Sequence, residues 1–165
     1  MKTLRLENIN LTASYRVGQT DNQSLKFYFD TDAGLRYNIS FMEEHSFISE
    51  GAYQFCVNVE GNGRSYGDSK LRSTIISIIE EFFRCNGNEV MLYLCETGDG
   101  KQKFRNRLFI QWFNNYKYRD LFLIRTAEGK MEGQDNFTAL FIKKDNPHLQ
   151  AIIEEFDEIT SILFD

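Results

Sequence analysis

The chain has 165 residues and a net charge of −5, with 42% hydrophobic and 15% aromatic residues. This composition excludes a disordered chain, and no stretch of about 18 apolar residues exists to predict a membrane-spanning helix. The three cysteines lie far apart, and the N-terminus carries no apolar run of signal-peptide length. We therefore expect a single domain over 1–165, with reduced thiols, in the cytoplasm.

The first half of the chain predicts an antiparallel sheet followed by a helix. Residues 1–24 are poorly patterned, although alternation predicts a strand near 9–16 and composition predicts a loop over 18–24. The next three predicted strands share alternating apolar residues and cover 25–30, 35–41 and 52–60. After a loop over 61–67, apolar residues at helical spacing predict a helix over 68–85.

The second half predicts two more helices and three more strands. A strand over 89–95 is apolar on both faces, so we expect it to be covered on both sides. A basic helix follows over about 101–116, and a last helix covers about 148–163, just after the only proline, Pro147. The remaining predicted strands, 120–128 and 137–144, are joined by a hairpin loop over 129–133.

These elements predict an α+β fold in the order β-β-β-α-β-α-β-β-α. The sheet is expected to be mainly antiparallel and strongly twisted, with about six strands. The three helices are expected mainly on one of its faces, because clean alternation on the early strands suits a sheet with one covered face.

Charge is segregated along the chain. Residues 1–100 contain nine Lys/Arg against fourteen Asp/Glu, residues 101–144 contain ten against four, and residues 145–165 contain none against six. The local charges are therefore −5, +6 and −6. The basic segment either pairs with the acidic flanks or presents a basic face to an anionic partner. An overall pI near 5.1 makes nucleic acid the less favoured partner.

Two arginines fall on the apolar faces of the predicted helices. At 100° per residue, Arg72 lies among Ile75, Ile79 and Phe83. By the same rule Arg105 lies with Phe104, Leu108 and Trp112. Lys103 and Arg107 point to the opposite side, toward solvent.

An arginine on a covered face needs a partner, which leaves two interpretations. Arg72 and Arg105 pair with nearby carboxylates, for which Asp68, Glu96 and Asp99 are the candidates. Alternatively, Arg72 and Arg105 join Lys101 and Gln102 at the two helix N-termini and form an anion-accepting rim.

Other chemistry finds little support in the sequence. Gly98-Asp99-Gly100-Lys101 is not a phosphate loop, because Gln102 stands where the pattern needs Ser or Thr. The two histidines and three cysteines lack the spacing of metal ligands, so we predict no metal and no cofactor.

Part of the chain resembles a small uncharacterised family of intracellular Bacteroidetes proteins that carries a domain-of-unknown-function label. Two motifs support the resemblance, Asp68-x3-Arg72-x-Thr74-Ile75-x2-Ile78-Ile79 and Tyr93-x-Cys95-Glu96-x2-Asp99-Gly100-Lys101-Gln102-x2-Arg105-x-Arg107-Leu108-Phe109-x2-Trp112-Phe113. The resemblance covers roughly residues 25–145. It implies a cytoplasmic bacterial protein in which Asp68, Arg72, Asp99, Gln102, Arg105 and Arg107 belong to the family pattern, without a catalytic role for any of them.

Three functional hypotheses follow. The first is a non-enzymatic binding module that uses the anion-accepting rim for an anionic group of a protein or a small molecule. The second is an enzyme acting on phosphate esters or nucleic acid, with Asp68, Glu96 and Asp99 as acid, base or metal ligands and arginines on the developing charge. The third is one member of a protein pair, with the basic segment or the acidic last helix as the contact. No catalytic motif is present, so we favour a protein that is not an enzyme.

Overall fold

The computed structural model describes residues 2–20, 25–64, 67–95 and 102–164, and everything below refers to these. The helices are α1 (Leu6–Thr12), α2 (Ser69–Cys85), α3 (Gln102–Asn114) and α4 (Leu149–Leu163). The strands are β1 (Gly18–Gln19), β2 (Lys26–Asp30), β3 (Arg36–Glu44), β4 (Ala52–Glu60), β5 (Met91–Cys95), β6 (Phe122–Met131) and β7 (Gln134–Lys143). Their hydrogen-bonded order is β1-β2-β3-β4-β5-β7-β6.

The fold is α+β with a mainly antiparallel sheet, which confirms the predicted class. The predicted count of about six strands and three helices is wrong, because the described residues contain seven strands and four helices. The additional elements, α1 and β1, both come from the N-terminal segment that showed little pattern.

The strand predicted near 9–16 is wrong, because α1 overlaps it. Ile9 is fully buried, whereas Leu11 is 80% exposed, so the alternation that predicted a strand does not reflect burial. A helix of only seven residues shows too little periodicity to be recognised. It is held by contacts with α2, since Asn8 donates to Glu81 at 3.3 Å and Thr12 to Ser77 at 2.9 Å.

The hairpin between β6 and β7 is tighter than predicted. Met131 already pairs with Gln134, so the turn consists of Glu132 and Gly133 rather than the loop expected over 129–133. Both residues have positive φ values, 53° and 80°. This is the backbone of a two-residue turn whose twist matches the flanking strands, and the sequence signal was weak because Glu stands where Asn or Asp is usual.

The described chain divides into two compact units. Unit 1 comprises Met1–Met42 and Phe55–Gly87, and unit 2 comprises Glu43–Gln54 and Asn88–Asp165. The single domain over 1–165 stays a prediction.

Aromatic stacking organises the core of unit 1. The alternation predicted for β2 and β3 is confirmed, because Phe27, Phe29 and Ile39 are each 1% exposed. On α2, the ring of Phe82 stacks on Phe41 of β3, with centroids 4.7 Å apart and planes at 6°. The helix therefore packs on the strands through a few large rings, which offset the weak helix propensity of its isoleucines.

Gly63 approaches the backbone of the turn between β2 and β3. A Cβ atom at Gly63 would lie 2.3 Å from the carbonyl oxygen of Ala33, a distance that real side chains do not tolerate. Gly63 thus packs directly against this turn, which explains why a glycine stands at this position.

We therefore expect Gly63→Ala to lower the free energy of unfolding by about 1–3 kcal/mol, because the backbone must move to accept the methyl group. Urea denaturation measures this effect, with the exposed neighbour Asn62→Ala as the control. Equal stability of the two variants would show that the loop does not rest on Ala33.

Unit 2 has a helix on each face of its strands. Leu92, Leu140 and Ile142 point to one face, where they form a core cluster with Ile152 and Phe156 of α4. The alternate residues Tyr93 and Phe141 point to the other face, where Phe109 of α3 contacts both rings. The expectation of helices mainly on one face is therefore wrong for this unit, while the prediction that β5 is covered on both sides is confirmed.

Candidate binding surface

The N-terminus of α2 is capped by Asp68. Its carboxylate accepts hydrogen bonds from the backbone N–H groups of Lys70 at 3.0 Å and Leu71 at 3.1 Å. The hydroxyl of Tyr15 donates to the same carboxylate at 2.7 Å. The Asp68 carboxylate thus accepts hydrogen bonds from two backbone N–H groups of the first turn and from a tyrosine hydroxyl. A second anion at this helix end would be repelled by the Asp68 charge and would find these donors already occupied.

Arg72 does not lie on the covered face of α2, and its predicted orientation is corrected. Its side chain is exposed, and no described residue forms an ion pair with it. The buried side of α2 is shifted toward Thr74, Ser77 and Glu81, because α1 covers those polar positions. The apolar residues alone could not reveal this shift, since α1 itself was not predicted.

The remaining residues predicted for the rim or as ion-pair partners belong to α3 or to the segment that precedes it. Glu96, Asp99 and Lys101, together with the Gly98–Lys101 turn, lie outside the described residues. Gln102 is the first residue of α3. Arg105 is half-buried and already engaged within the protein. Since Arg72 belongs to unit 1 and Arg105 to unit 2, a common rim stays a prediction.

The orientation of α3 also differs from the helical-wheel expectation. Phe104, expected on the covered face, is 49% exposed. The ring of Phe109 instead stacks on Tyr93 with centroids 4.5 Å apart, and Phe113 meets the edge of Phe141 at 5.4 Å. The covered side of α3 is therefore rotated by roughly a quarter turn from the predicted one.

The outward side of α3 is basic and partly apolar. Lys103, Arg107 and Gln111 are exposed and follow one another along one side of the helix, and Phe104 and Leu108 lie directly beside them. We call these five residues the basic face. From Gln102 to Arg119 the chain contains five Lys or Arg residues and no acidic residue. The nearest described carboxylate is a weak partner, because Asp135 lies 3.5 Å from Lys103, whose side chain is 82% exposed.

The acidic helix α4 lies on the opposite face of the strands of unit 2. Its outer surface carries Glu154 and Glu158, both exposed. Asp157 forms a two-pronged ion pair with Arg125 of β6, at 2.8 and 2.6 Å. Because the sheet separates α3 from α4, the acidic helix does not neutralise the basic face of its own unit.

A family model matches residues 67–158, and its description reads family of unknown function (DUF6169). The match covers more than half of the chain. The chain belongs to this family. The matched segment of the family contains α2, β5, α3, β6, β7 and the first part of α4, and thus includes the basic face. No curated protein matches the chain significantly.

Within the part of the family segment that the structure describes, no group of three or more His, Cys, Asp or Glu residues is placed to hold a metal ion. Over the same described residues, the helices all fall short of the length and apolar character that crossing a bilayer requires.

The family segment also holds a buried carboxylate that the sequence analysis missed. Glu81 of α2 is 3% exposed and accepts two hydrogen bonds from Arg84, at 2.7 and 2.8 Å. It also accepts from the backbone N–H of Arg5 at 2.9 Å, from Asn8, and from the thiol of Cys85 at 3.1 Å. Glu81 therefore ties α1 to α2.

The surroundings of Glu81 set its protonation state. Burial by itself raises the pKa of this carboxyl group, but the hydrogen bonds from Arg84, Arg5, Cys85 and Asn8 outweigh burial and lower the pKa to about 2. A shallow groove beside it is lined by Asn8, Leu11, Thr12, Ser77, Glu80, Glu81 and Arg84. Glu81 and Arg84 satisfy each other in this groove, so we assign it a structural role.

Proposed function

We propose that the protein is a non-enzymatic binding module whose basic face accepts an acidic segment of another protein. The separation of the two charged helices carries this proposal. With α3 and α4 on opposite faces of the unit 2 strands, the positive charge of α3 is left for an external partner.

The composition of the basic face favours a protein partner over nucleic acid. Phe104 and Leu108 place apolar surface beside the cations, and Phe104 is 49% exposed. Protein interfaces are enriched in aromatic residues and arginine, whereas nucleic-acid-binding domains are usually basic overall. The net charge of −5 therefore favours a protein partner.

Some of the residues predicted from the sequence extend this surface in our proposal. Lys101 and Gln102 directly precede the basic face in the chain. Arg105 falls between its two cations in sequence only, because 100° per residue places its half-buried side chain on another side of α3. Arg72 is not part of the proposed surface, because it belongs to unit 1 whereas α3 belongs to unit 2. We also propose, from the resemblance described above, that the protein is cytoplasmic and of Bacteroidetes origin.

The test is binding of a fluorescein-labelled 12-residue peptide of alternating Glu and Leu, measured by fluorescence anisotropy. We expect the double variant Lys103→Glu/Arg107→Glu to weaken binding by at least about tenfold, because two attractive charges become repulsive. Raising the salt concentration from 50 to 500 mM is expected to weaken wild-type binding as well, since exposed charges are screened.

The matched control is Lys2→Glu/Lys144→Glu, which changes the net charge equally at two exposed positions outside α3. Equal losses in the two double variants would show that net charge alone attracts the peptide. If a 12-nucleotide single-stranded RNA binds more tightly than the peptide, the proposal of a protein partner is contradicted and nucleic acid is the favoured ligand. If Arg72→Glu alone weakens peptide binding, the binding site lies at the N-terminus of α2 and not on the basic face.

A further inference from the structure

Strand β6 forms one edge of the sheet. It stands last in the strand order and, among the described strands, pairs only with β7, in unbroken register over its ten residues. No proline interrupts it, and none of its residues is buried. Native edge strands are usually short, bulged or interrupted by proline, because their unpaired backbone groups attract other strands. A ten-residue edge without these protections is therefore a surface on which a further strand can pair.

The backbone groups of alternate β6 residues point away from β7. The carbonyl oxygen of Leu121 accepts from the N–H of Lys144, and these two residues continue the β6–β7 register by one position. Because the direction alternates in an antiparallel ladder, odd-numbered residues of β6 bond to β7 and even-numbered residues point outward. Phe122 is already engaged, since its N–H donates to Arg119. The other outward backbone groups belong to Ile124, Thr126, Glu128 and Lys130.

The outward groups of these four residues are available to another strand. Among the described residues, no hydrogen bond is made to their outward N–H and C=O groups. The side chains along the edge also carry no net charge. Arg125 is held by Asp157 through two hydrogen bonds, and the charges of Glu128 and Lys130 cancel. The edge therefore fits a neutral strand better than an acidic or a basic one, and β6 itself is such a strand.

We propose that β6 pairs antiparallel with β6 of a second copy of this chain, across a twofold axis at Ala127. This register places outward-pointing residues opposite each other. Thr126 lies opposite Glu128 of the second copy, and Ile124 lies opposite Lys130 of the second copy. The four N–H and four C=O groups of each edge are then all paired.

The side chains suit this register. Arg125 lies opposite Gly129 of the second copy, which has no side chain and leaves room for the ion pair of Arg125. Met131, which is 41% exposed, lies opposite the half-buried Leu123 of the second copy. Leu123 packs against the core cluster beneath α4, so the methionine extends this apolar surface across the interface.

The neighbouring registers are less suitable. An axis at Thr126 would place Lys130 opposite Phe122, whose N–H group is already engaged. An axis at Glu128 would place the two Glu128 carboxylates opposite each other, and like charges in such a pair are destabilising. The pairing goes beyond the proposed function, since it uses an uncharged edge and leaves the basic face of α3 unchanged.

The first test is the dissociation constant of the dimer, measured by sedimentation equilibrium over about 2–200 µM protein. The mass of the wild type should rise from 19.4 kDa toward twice that value. Thr126→Glu places a carboxylate opposite Glu128 and should weaken the dimer at least about fivefold. Thr126→Lys places an ammonium group there and should tighten the dimer by a similar factor.

Asn62→Glu and Asn62→Lys are the matched controls, because they make the same charge changes at an exposed position of unit 1. Both should change the dissociation constant by less than about twofold. A wild-type mass that stays at 19.4 kDa over the whole range would overturn the proposal. Thr126 variants that shift the constant in the same direction, or no further than the Asn62 controls, would overturn it as well.

The second test fixes the register by a disulfide. The two Ala127 residues form a non-hydrogen-bonded pair at the axis, with Cα atoms about 4.5 Å apart, which a disulfide can bridge. Under mild oxidation, Ala127→Cys should give at least about fivefold more covalent dimer than the wild type, which has three cysteines of its own. Lys130→Cys is the control, because Lys130 is more exposed but lies opposite Ile124.

Equal amounts of covalent dimer from Ala127→Cys and Lys130→Cys would overturn the proposed register, and so would no increase over the wild type. The substitutions at Thr126, Ala127 and Lys130 leave Lys103 and Arg107 in place. Failure of the dimer therefore leaves the proposed binding of an acidic segment unaffected, and the reverse also holds.

Discussion

Replacing Glu81 by glutamine is expected to destabilise the protein by about 3 kcal/mol at pH 7. The carboxylate has a pKa lowered from 4.5 to about 2, and each unit of such a shift corresponds to about 1.4 kcal/mol. The neutral amide keeps the size of the side chain but loses the charge that Arg84 and the N–H of Arg5 stabilise. Chemical denaturation at pH 7 measures the difference.

Glu158→Gln is the matched control, because Glu158 is exposed on α4 and should change stability by less than about 0.5 kcal/mol. Loss of the Glu81 carboxylate removes contacts that hold α1 on α2. The backbone amides of residues 6–12 should therefore exchange their hydrogens faster in the variant than in the wild type. Equal stability of the two glutamine variants would contradict the role we assign to Glu81.

Acid is expected to remove the same stabilisation from the wild-type protein. The pKa of Glu81 in the folded state lies below its unfolded value, so the folded state binds its proton more weakly. The contribution is fully present above pH 4.5 and is lost as the pH falls from 4.5 to about 2. Its size over this interval is about 3 kcal/mol.

The comparison with Glu81→Gln isolates this contribution from the other carboxylates. The difference in unfolding free energy between the wild type and the variant should be constant from pH 5 to 8 and should shrink toward zero near pH 2. If this difference in unfolding free energy stays the same at low pH, the glutamine acts through packing, and the charge of Glu81 does not stabilise the folded state.

The sequence predicted long elements well and helix orientation poorly. Alternation located β2, β3 and β4, and an uninterrupted apolar run predicted that β5 is covered on both sides. Arg72 was misplaced because a helical wheel weighs apolar residues only, whereas α1 buries the polar positions Thr74, Ser77 and Glu81. A seven-residue helix with one buried isoleucine offers no periodicity from which to foresee that cover.

The same limit explains what was missed on α3. Phe104 was predicted to lie on the covered face but is 49% exposed, whereas Asn106, for which the sequence made no prediction, is only 7% exposed. Which side of this helix meets the sheet is decided by the rings of Tyr93 and Phe141, and such pairings depend on register between distant segments. The separation of α3 from α4 likewise depends on the strand order, which propensity and pattern do not encode.

The central claim is that the exposed side of α3 is a binding surface for an acidic protein segment. Its most direct test is a ¹⁵N–¹H chemical-shift titration of the full chain with the alternating Glu and Leu peptide. We predict that the largest saturable shifts fall on Lys103, Arg107 and Gln111, with residues 26–44 unaffected. Shifts confined to Arg72 and its neighbours at the start of α2, or spread evenly over exposed cations, would contradict the claim.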